Sequence, residues 1–137
     1  MPLIEWSPVF NVNVKKSDDQ HKKLVELINQ LHDSMKAGQA NASLGNILQS
    51  LITYTATHFK EEEQMLQLNG YPDLVKHKAI HAEFVKKVIE IQKKFQESAS
   101  GAVLSMGILS FLKEWLMGHI KVEDKKYGVF LNDKGIK

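Results

Sequence analysis

LVKHKAIHAEFVKKVIEIQKKF, residues 74–95, places Leu74, His77, His81, Phe84, Val88, Ile91 and Phe95 at steps of three and four. That is the period of an amphipathic helix with one buried stripe. His77 and His81 stand one turn apart where core residues belong. Towards the N-terminus the pattern recurs in Leu44, Leu48, Leu51, Thr55, His58, Glu62 and Met65, whose polar members His58 and Glu62 are again a turn apart.

Punctuation around these two helices sets the rest of the organisation. Ser43 can cap the second helix and Asn69-Gly70 can stop it, while Asp73, after Tyr71-Pro72, can cap the third, which should end near Ser98 to Gly101. Ser17-Asp18-Asp19-Gln20 has the form of a capping box opening a first helix that runs to Gly38. A fourth helix carries Leu104, Ile108, Leu112, Trp115, Leu116 and His119 on its inner face. Residues 1–16, with Pro2, Pro8 and the alternation Val9, Asn11, Val12, Asn13, Val14, suit an extended arm packed down by Trp6, Val9 and Phe10. Residues 127–137, with Tyr127, Val129, Phe130 and Leu131, should form a short tail turning back across the body. The expected fold is one all-α domain: an up-down-up-down antiparallel four-helix bundle over 17–126, with an N-terminal arm at 1–16 and a C-terminal tail at 127–137.

Composition narrows the chemistry. With 137 residues the chain can bury roughly two-thirds of its unfolded surface without staples. It has no cysteine, which excludes disulfides, iron–sulfur clusters and thiolate zinc sites. The net charge is +2 and all the basic residues are lysines, a poor match to phosphate or base-edge recognition, so no nucleic acid is expected. Met1 to Trp6 does not read as a leader, and no run approaches the ~20 apolar residues of a membrane span. A cytoplasmic location is therefore expected.

In the expected topology the start of helix one, the end of helix two, the start of helix three and the end of helix four share one end of the bundle. His21, His58 with Glu62, His77 with His81, and His119 with Asp124 sit at those four places. A single histidine on an apolar face is usually a hydrogen-bonded core residue. Burying five of them with two carboxylates is costly unless a cation is shared, and imidazole nitrogen with carboxylate oxygen is a donor set for first-row transition metals. One spacing resists a regular helix: five residues separate His119 from Asp124, about 140° out of line, so a π-type widening is expected between Gly118 and Glu123. His32 lies eleven residues beyond His21, about 16 Å along the helix, and is read as structural. Glu61, Glu63 and Glu123 are most simply solvated, although Gln20 or Glu63 could orient a histidine. Tyr127 could reach the site or simply pack.

If the site is octahedral, two ions need about twelve donor positions. Five imidazoles, two bridging carboxylates and a bridging hydroxide leave one open. An open position beside a second oxidisable metal suits dioxygen, and Leu116, Trp115 and Ile120 could keep it dry.

These residues resemble the hemerythrin family in its single-domain bacterial form. The match covers nearly the whole chain: Asp19-Gln20-His21, His58-Phe59 with Glu62-Glu63, Gly70-Tyr71-Pro72, His77 with His81, and Trp115-Leu116 with His119-Ile120, Asp124 and Tyr127. The resemblance implies two iron ions per chain in an oxo- or hydroxo-bridged centre. His77, His81 and His119 would bind one iron, His21 and His58 the other, and Glu62 and Asp124 would bridge. It further implies reversible dioxygen binding at the two-histidine iron, as a hydroperoxide bonded to the bridge. The expected role is oxygen carriage, storage or delivery to an oxygen-consuming enzyme, by a monomeric protein that is not itself an enzyme. The alternatives are a di-iron oxidase or peroxidase, a nitric-oxide-reducing enzyme, iron storage, or oxygen sensing. Absence of any Glu-x-x-His motif disfavours the oxidase. Iron over manganese rests on the resemblance and on the redox argument.

Overall fold

A computed structural model describes residues 3–38, 41–97 and 106–137. The chain forms α1 (Lys15–Lys36), α2 (Asn41–Leu68), α3 (Leu74–Glu97), α4 (Met106–His119), a π turn (Ile120–Asp124) and α5 (Lys125–Asp133), preceded by a 3-10 turn at Pro8–Phe10. There is no strand among the described residues. The result is an all-α four-helix bundle whose fourth helix is α4, the π turn and α5 in continuity. α1 packs on α2, α2 on α3 and α4 on α1. A stack of Phe84 on Trp115, ring centroids 3.8 Å apart, ties α3 to α4.

The stripes read from sequence face inward. Leu24, Ile28, Leu51, Phe84, Val88, Leu112 and Leu116 are all buried, each such side chain contributing about 1.5–3 kcal/mol relative to exposure. A separate cluster of Leu31, Leu48, Ile91, Phe95 and Leu109 fills the bundle further along. Its members Leu31, Leu48, Ile91 and Leu109 each stand ten residues from His21, His58, His81 and His119 respectively, ~15 Å along a helix. Among the described residues, this cluster is aliphatic and aromatic. Histidine replaces it at the other end of the bundle.

Helix ends follow the glycines. Gly70 adopts φ +71° after α2, with Tyr71 N–H donating to Leu66 O at 3.0 Å and Gly70 N–H to Gln67 O at 3.2 Å, a Schellman closure. Gly135 closes α5 in the same way. α3 starts directly after Asp73, as expected. Its expected end at Ser98 to Gly101, like Leu104, lies outside the described residues.

Four expectations are corrected. The helix expected to start at Ser17 starts at Lys15, with Val14 as an N-cap that makes no side-chain cap bond. Asp18 reaches back instead, its Oδ1 accepting from Val12 N–H at 2.7 Å, and Ser17 is buried inside the helix. Ser43 is not a cap, because α2 already runs from Asn41. The arm is less extended than its alternation suggested. Pro8 starts a short 3-10 turn that leaves Val9 half exposed while Ile4, Phe10, Val12 and Val14 carry the burial. Asn29 clamps it, donating to Ile4 O at 2.9 Å and accepting from Ile4 N–H at 2.8 Å. Finally, residues 127–133 do not turn back across the bundle. They continue as α5, because Tyr127 and Leu131 repeat the helical step from Asp124 and are fully buried.

Candidate metal centre

All seven expected donors come together in the interior, each no more than 6% exposed. His21 comes from the second turn of α1, His58 and Glu62 from α2, His77 and His81 from the first two turns of α3, His119 from the end of α4 and Asp124 from the end of the π turn. The donor atoms of Glu62, His77, His81, His119 and Asp124 all lie within 4.8 Å of one another, as do those of His21, His58 and Glu62.

The π turn makes this possible. A regular helix would leave His119 and Asp124 on different faces, whereas i to i+5 winding stacks them, and His119 Nε2 lies 3.0 Å from Asp124 Oδ1. The widening expected from the spacing is present, at Ile120–Asp124.

Each carboxylate divides its oxygens between two groups of histidines. Glu62 Oε1 lies 2.7 Å from His77 Nε2 and 3.2 Å from His81 Nε2, while its Oε2 lies 3.2 Å from His58 Nε2 and 3.7 Å from His21 Nε2. Asp124 mirrors this, with Oδ1 near His119 at 3.0 Å and His77 at 3.3 Å and Oδ2 near His21 at 3.0 Å. One group therefore holds three histidines and the other two.

Hydrogen bonds behind the rings fix which nitrogen faces inward. His81 Nδ1 lies 2.9 Å from Glu63 Oε2, and a carboxylate oxygen only accepts, so Nδ1 carries the proton and Nε2 turns its lone pair to the centre. His58 Nδ1 likewise donates to Gln20 Oε1 at 2.6 Å, the amide being oriented by its own Nε2 donating to Glu61 Oε2 at 2.6 Å. Inside, polar atoms crowd together. His81 Nε2 and His119 Nε2 are 3.0 Å apart, and His21 Nε2 and Asp124 Oδ1 have close neighbours but no aligned hydrogen bond. Protons or shared cations are what such a set lacks, and imidazole nitrogen with carboxylate oxygen is a donor set that suits a metal. On this test the residues fit a metal centre.

The electrostatics agree. Burial alone favours a protonated Glu62, but His21, His58, His77 and His81 hold it ionised well below the usual carboxylate range. Burial and the neighbouring Glu62 charge oppose ionising Asp124, yet His119 and His21 prevail and it too is held low. In return, although burial disfavours their protonated forms, Asp124 and Glu62 raise His21 and His77 to about 9.

Around the donors stand aromatic slabs. Phe59 stacks on His81 with centroids 3.7 Å apart and planes 2° from parallel, and Trp115 stacks on His119 at 4.7 Å. Leu116 and Ile120 are buried beside them. Tyr127 does more than pack: its hydroxyl donates to Glu62 Oε2 at 2.9 Å. Burial, with the charges of Glu62 and Asp124, pushes that phenol well above its ordinary range, so it remains a donor. Glu61 and Glu63, read as solvated, instead accept from Gln20 and His81; Glu123 keeps only a loose contact with Lys126 at 3.7 Å. His32 is buried but belongs to neither donor group. The role of Phe59 had no signal beyond its place next to His58.

Comparison with known proteins gives the same reading. The family described as the hemerythrin HHE cation binding domain matches residues 13–131. Bacteriohemerythrin of Methylococcus capsulatus is 38% identical over 133 residues, 96% of this chain and 99% of its own. Myohemerythrin of Theromyzon tessulatum is 32% identical over 123 residues, 90% of this chain and 89% of its own. A crystal structure of wild-type hemerythrin superposes with a TM-score of 0.85 at 38% identity, covering 92% of this chain and 95% of that one. No helix among the described residues is long and apolar enough to cross a membrane. A histidine and carboxylate core on four helices, matched along nearly its whole length by such relatives, places this chain in the hemerythrin family.

Proposed function

We propose that the chain binds dioxygen reversibly at a non-haem di-iron centre, with His77, His81 and His119 holding one iron, His21 and His58 the other, and Glu62 and Asp124 bridging. The observation that carries this is the division of each carboxylate's two oxygens between a three-histidine and a two-histidine group. When bound, the iron pair supplies two electrons for the capture of dioxygen and recovers them on release.

The chain's own residues favour holding over cleaving. Leu116, Ile120 and the Trp115 ring exclude water from the donor set, which keeps protons away from a bound ligand. Tyr127 is committed to Glu62, and it holds its own proton tightly there. Glu63 and Gln20 keep the His81 and His58 rings from turning. We read the role as carriage, storage or delivery to an oxygen-consuming enzyme, by a monomer in the cytoplasm, with at most weak oxidase or peroxidase activity.

The test is an optical spectrum of the anaerobically reduced, iron-quantified protein before oxygen, after oxygen and after an inert-gas purge. A visible charge-transfer band that forms with oxygen and vanishes on purging, at two irons per chain, is the expected result. Prompt irreversible oxidation would overturn it in favour of a di-iron oxidase.

A further inference from the structure

The two histidine groups are backed by different chemistry. In the three-histidine group, His81 gives its Nδ1–H to the Glu63 carboxylate, whose side chain is 21% exposed. In the two-histidine group, His58 gives its Nδ1–H to the neutral Gln20 amide. His119 Nδ1 and His21 Nδ1 have no hydrogen-bond partner, whereas His81 in one group and His58 in the other are each backed at Nδ1, by these contrasting partners. A carboxylate draws the Nδ1 proton and leaves Nε2 a more basic, more electron-rich donor; an amide orients the ring without doing so. Behind Gln20 the charge of Glu61 stands one hydrogen bond further out.

We propose that Glu63 and Gln20 are positioning residues that make the two metal positions unequal, Glu63 strengthening the three-histidine position through His81 while Gln20 leaves the two-histidine position the weaker and later to fill. This inequality rests on the di-metal reading above. Three nitrogens against two would already give some difference in affinity, so the contribution of Glu63 has to be separated from the ligand count. Glu63→Gln does this. The amide oxygen still accepts from His81 Nδ1–H and keeps the ring in place, but the charge is gone. The converse change is Gln20→Glu combined with Glu61→Gln. It keeps the chain of hydrogen bonds, with residue 61 now donating and residue 20 bringing its carboxylate to His58.

The experiment is an anaerobic titration of the full chain, stripped of metal, with ferrous iron against a competing chromophoric chelator. It is paired with 15N spectra of the histidine rings in the zinc-loaded, diamagnetic protein. The parent should bind two ions in two resolved steps. Glu63→Gln should weaken the first step roughly 10-fold or more and leave the second within about 2-fold, and the double variant should tighten the second step by a similar factor. The Nδ1 resonance of His81 should move in the first variant and that of His58 in the second. Tightening by substitution cannot come from a merely structural role. Uptake of fewer than two ions by the parent would overturn the di-metal reading and this inference with it. Two ions with Glu63→Gln unchanged, or with both steps weakened alike, or no tightening in the double variant, would overturn this inference alone.

Discussion

Replacing Tyr127 by Phe removes one oxygen atom from the middle of the protein. The side chain is fully buried, its ring packs edge-on to His77 with centroids 5.6 Å apart, and its hydroxyl donates at 2.9 Å to a Glu62 oxygen. The phenylalanine keeps the ring and opens no cavity large enough to collapse. What is lost is one hydrogen bond to a charged acceptor, worth about 1.5–3 kcal/mol. For a chain of this length about 1 kcal/mol corresponds to ~4 °C, so the melting temperature should fall by ~6–12 °C. Circular dichroism melts of the metal-loaded and chelated proteins would read this, with iron content measured alongside. Iron content should stay at the parent level, because Tyr127 touches a donor without being one. A melting temperature within about 1 °C of the parent in both forms would refute the reasoning, since Glu62 would then need no donor from α5.

Three other perturbations probe different layers of the structure. Glu62→Ala deletes the carboxylate shared by both histidine groups and should abolish most iron binding, whereas His32→Ala, outside both groups, should leave iron content unchanged; equal losses measured by metal analysis would contradict the assignment. Gly128→Ala puts a Cβ onto the Val12 carbonyl oxygen and 3.2 Å from Val12 Cβ, an overlap costing about 1–3 kcal/mol against about 1 kcal/mol gained in helix propensity. The arm should lift, so limited proteolysis should cut within residues 3–14 of that variant and spare the parent, and identical digests would refute the contact. In the chelated protein His21 and His77, raised to about 9, keep protons that unfolded histidines release near ~6.5. Their stabilisation is therefore complete below about pH 6.5, declines as the pH rises and is gone above about 9. Urea midpoints should fall across that window without metal, and a flat profile would count against the raised values.

The stripes of α2 and α3 were legible because each buries one face against its neighbours, and burial on one face is what a period of three and four encodes. The seven donors could be placed for the same reason: antiparallel helices joined by short turns return to the same end. The five-residue step from His119 to Asp124 disclosed the π turn, since no regular helix could serve both. Start positions were less legible. Ser17 has the residue type of a cap, but the arm's Val12 and Val14 anchor the chain two residues earlier, and that packing outweighs a local hydrogen bond. α5 was missed because its stripe is out of phase with that of α4 and reads as a break unless the π turn is carried through. The partners of Gln20, Glu61 and Glu63 depend on which helix lies across from them, information that periodicity within one helix does not hold.

The π turn also has a meaning for how this chain tolerates changes in length. On one side Leu116 and His119 are fixed in the interior, and on the other Asp124, Tyr127 and Leu131 are equally fixed. A surplus residue between two such anchors cannot rotate either flank, so it is absorbed as a widened ring. Deleting one residue from Ile120–Glu123 would bring His119 and Asp124 to a four-residue step, which a plain α-helix also stacks on one face. By helical geometry, facing of His119 and Asp124 is thus compatible with two chain lengths. Residue-by-residue alignment across this helix has a natural gap position at 120–123, where number and neighbourhood part company.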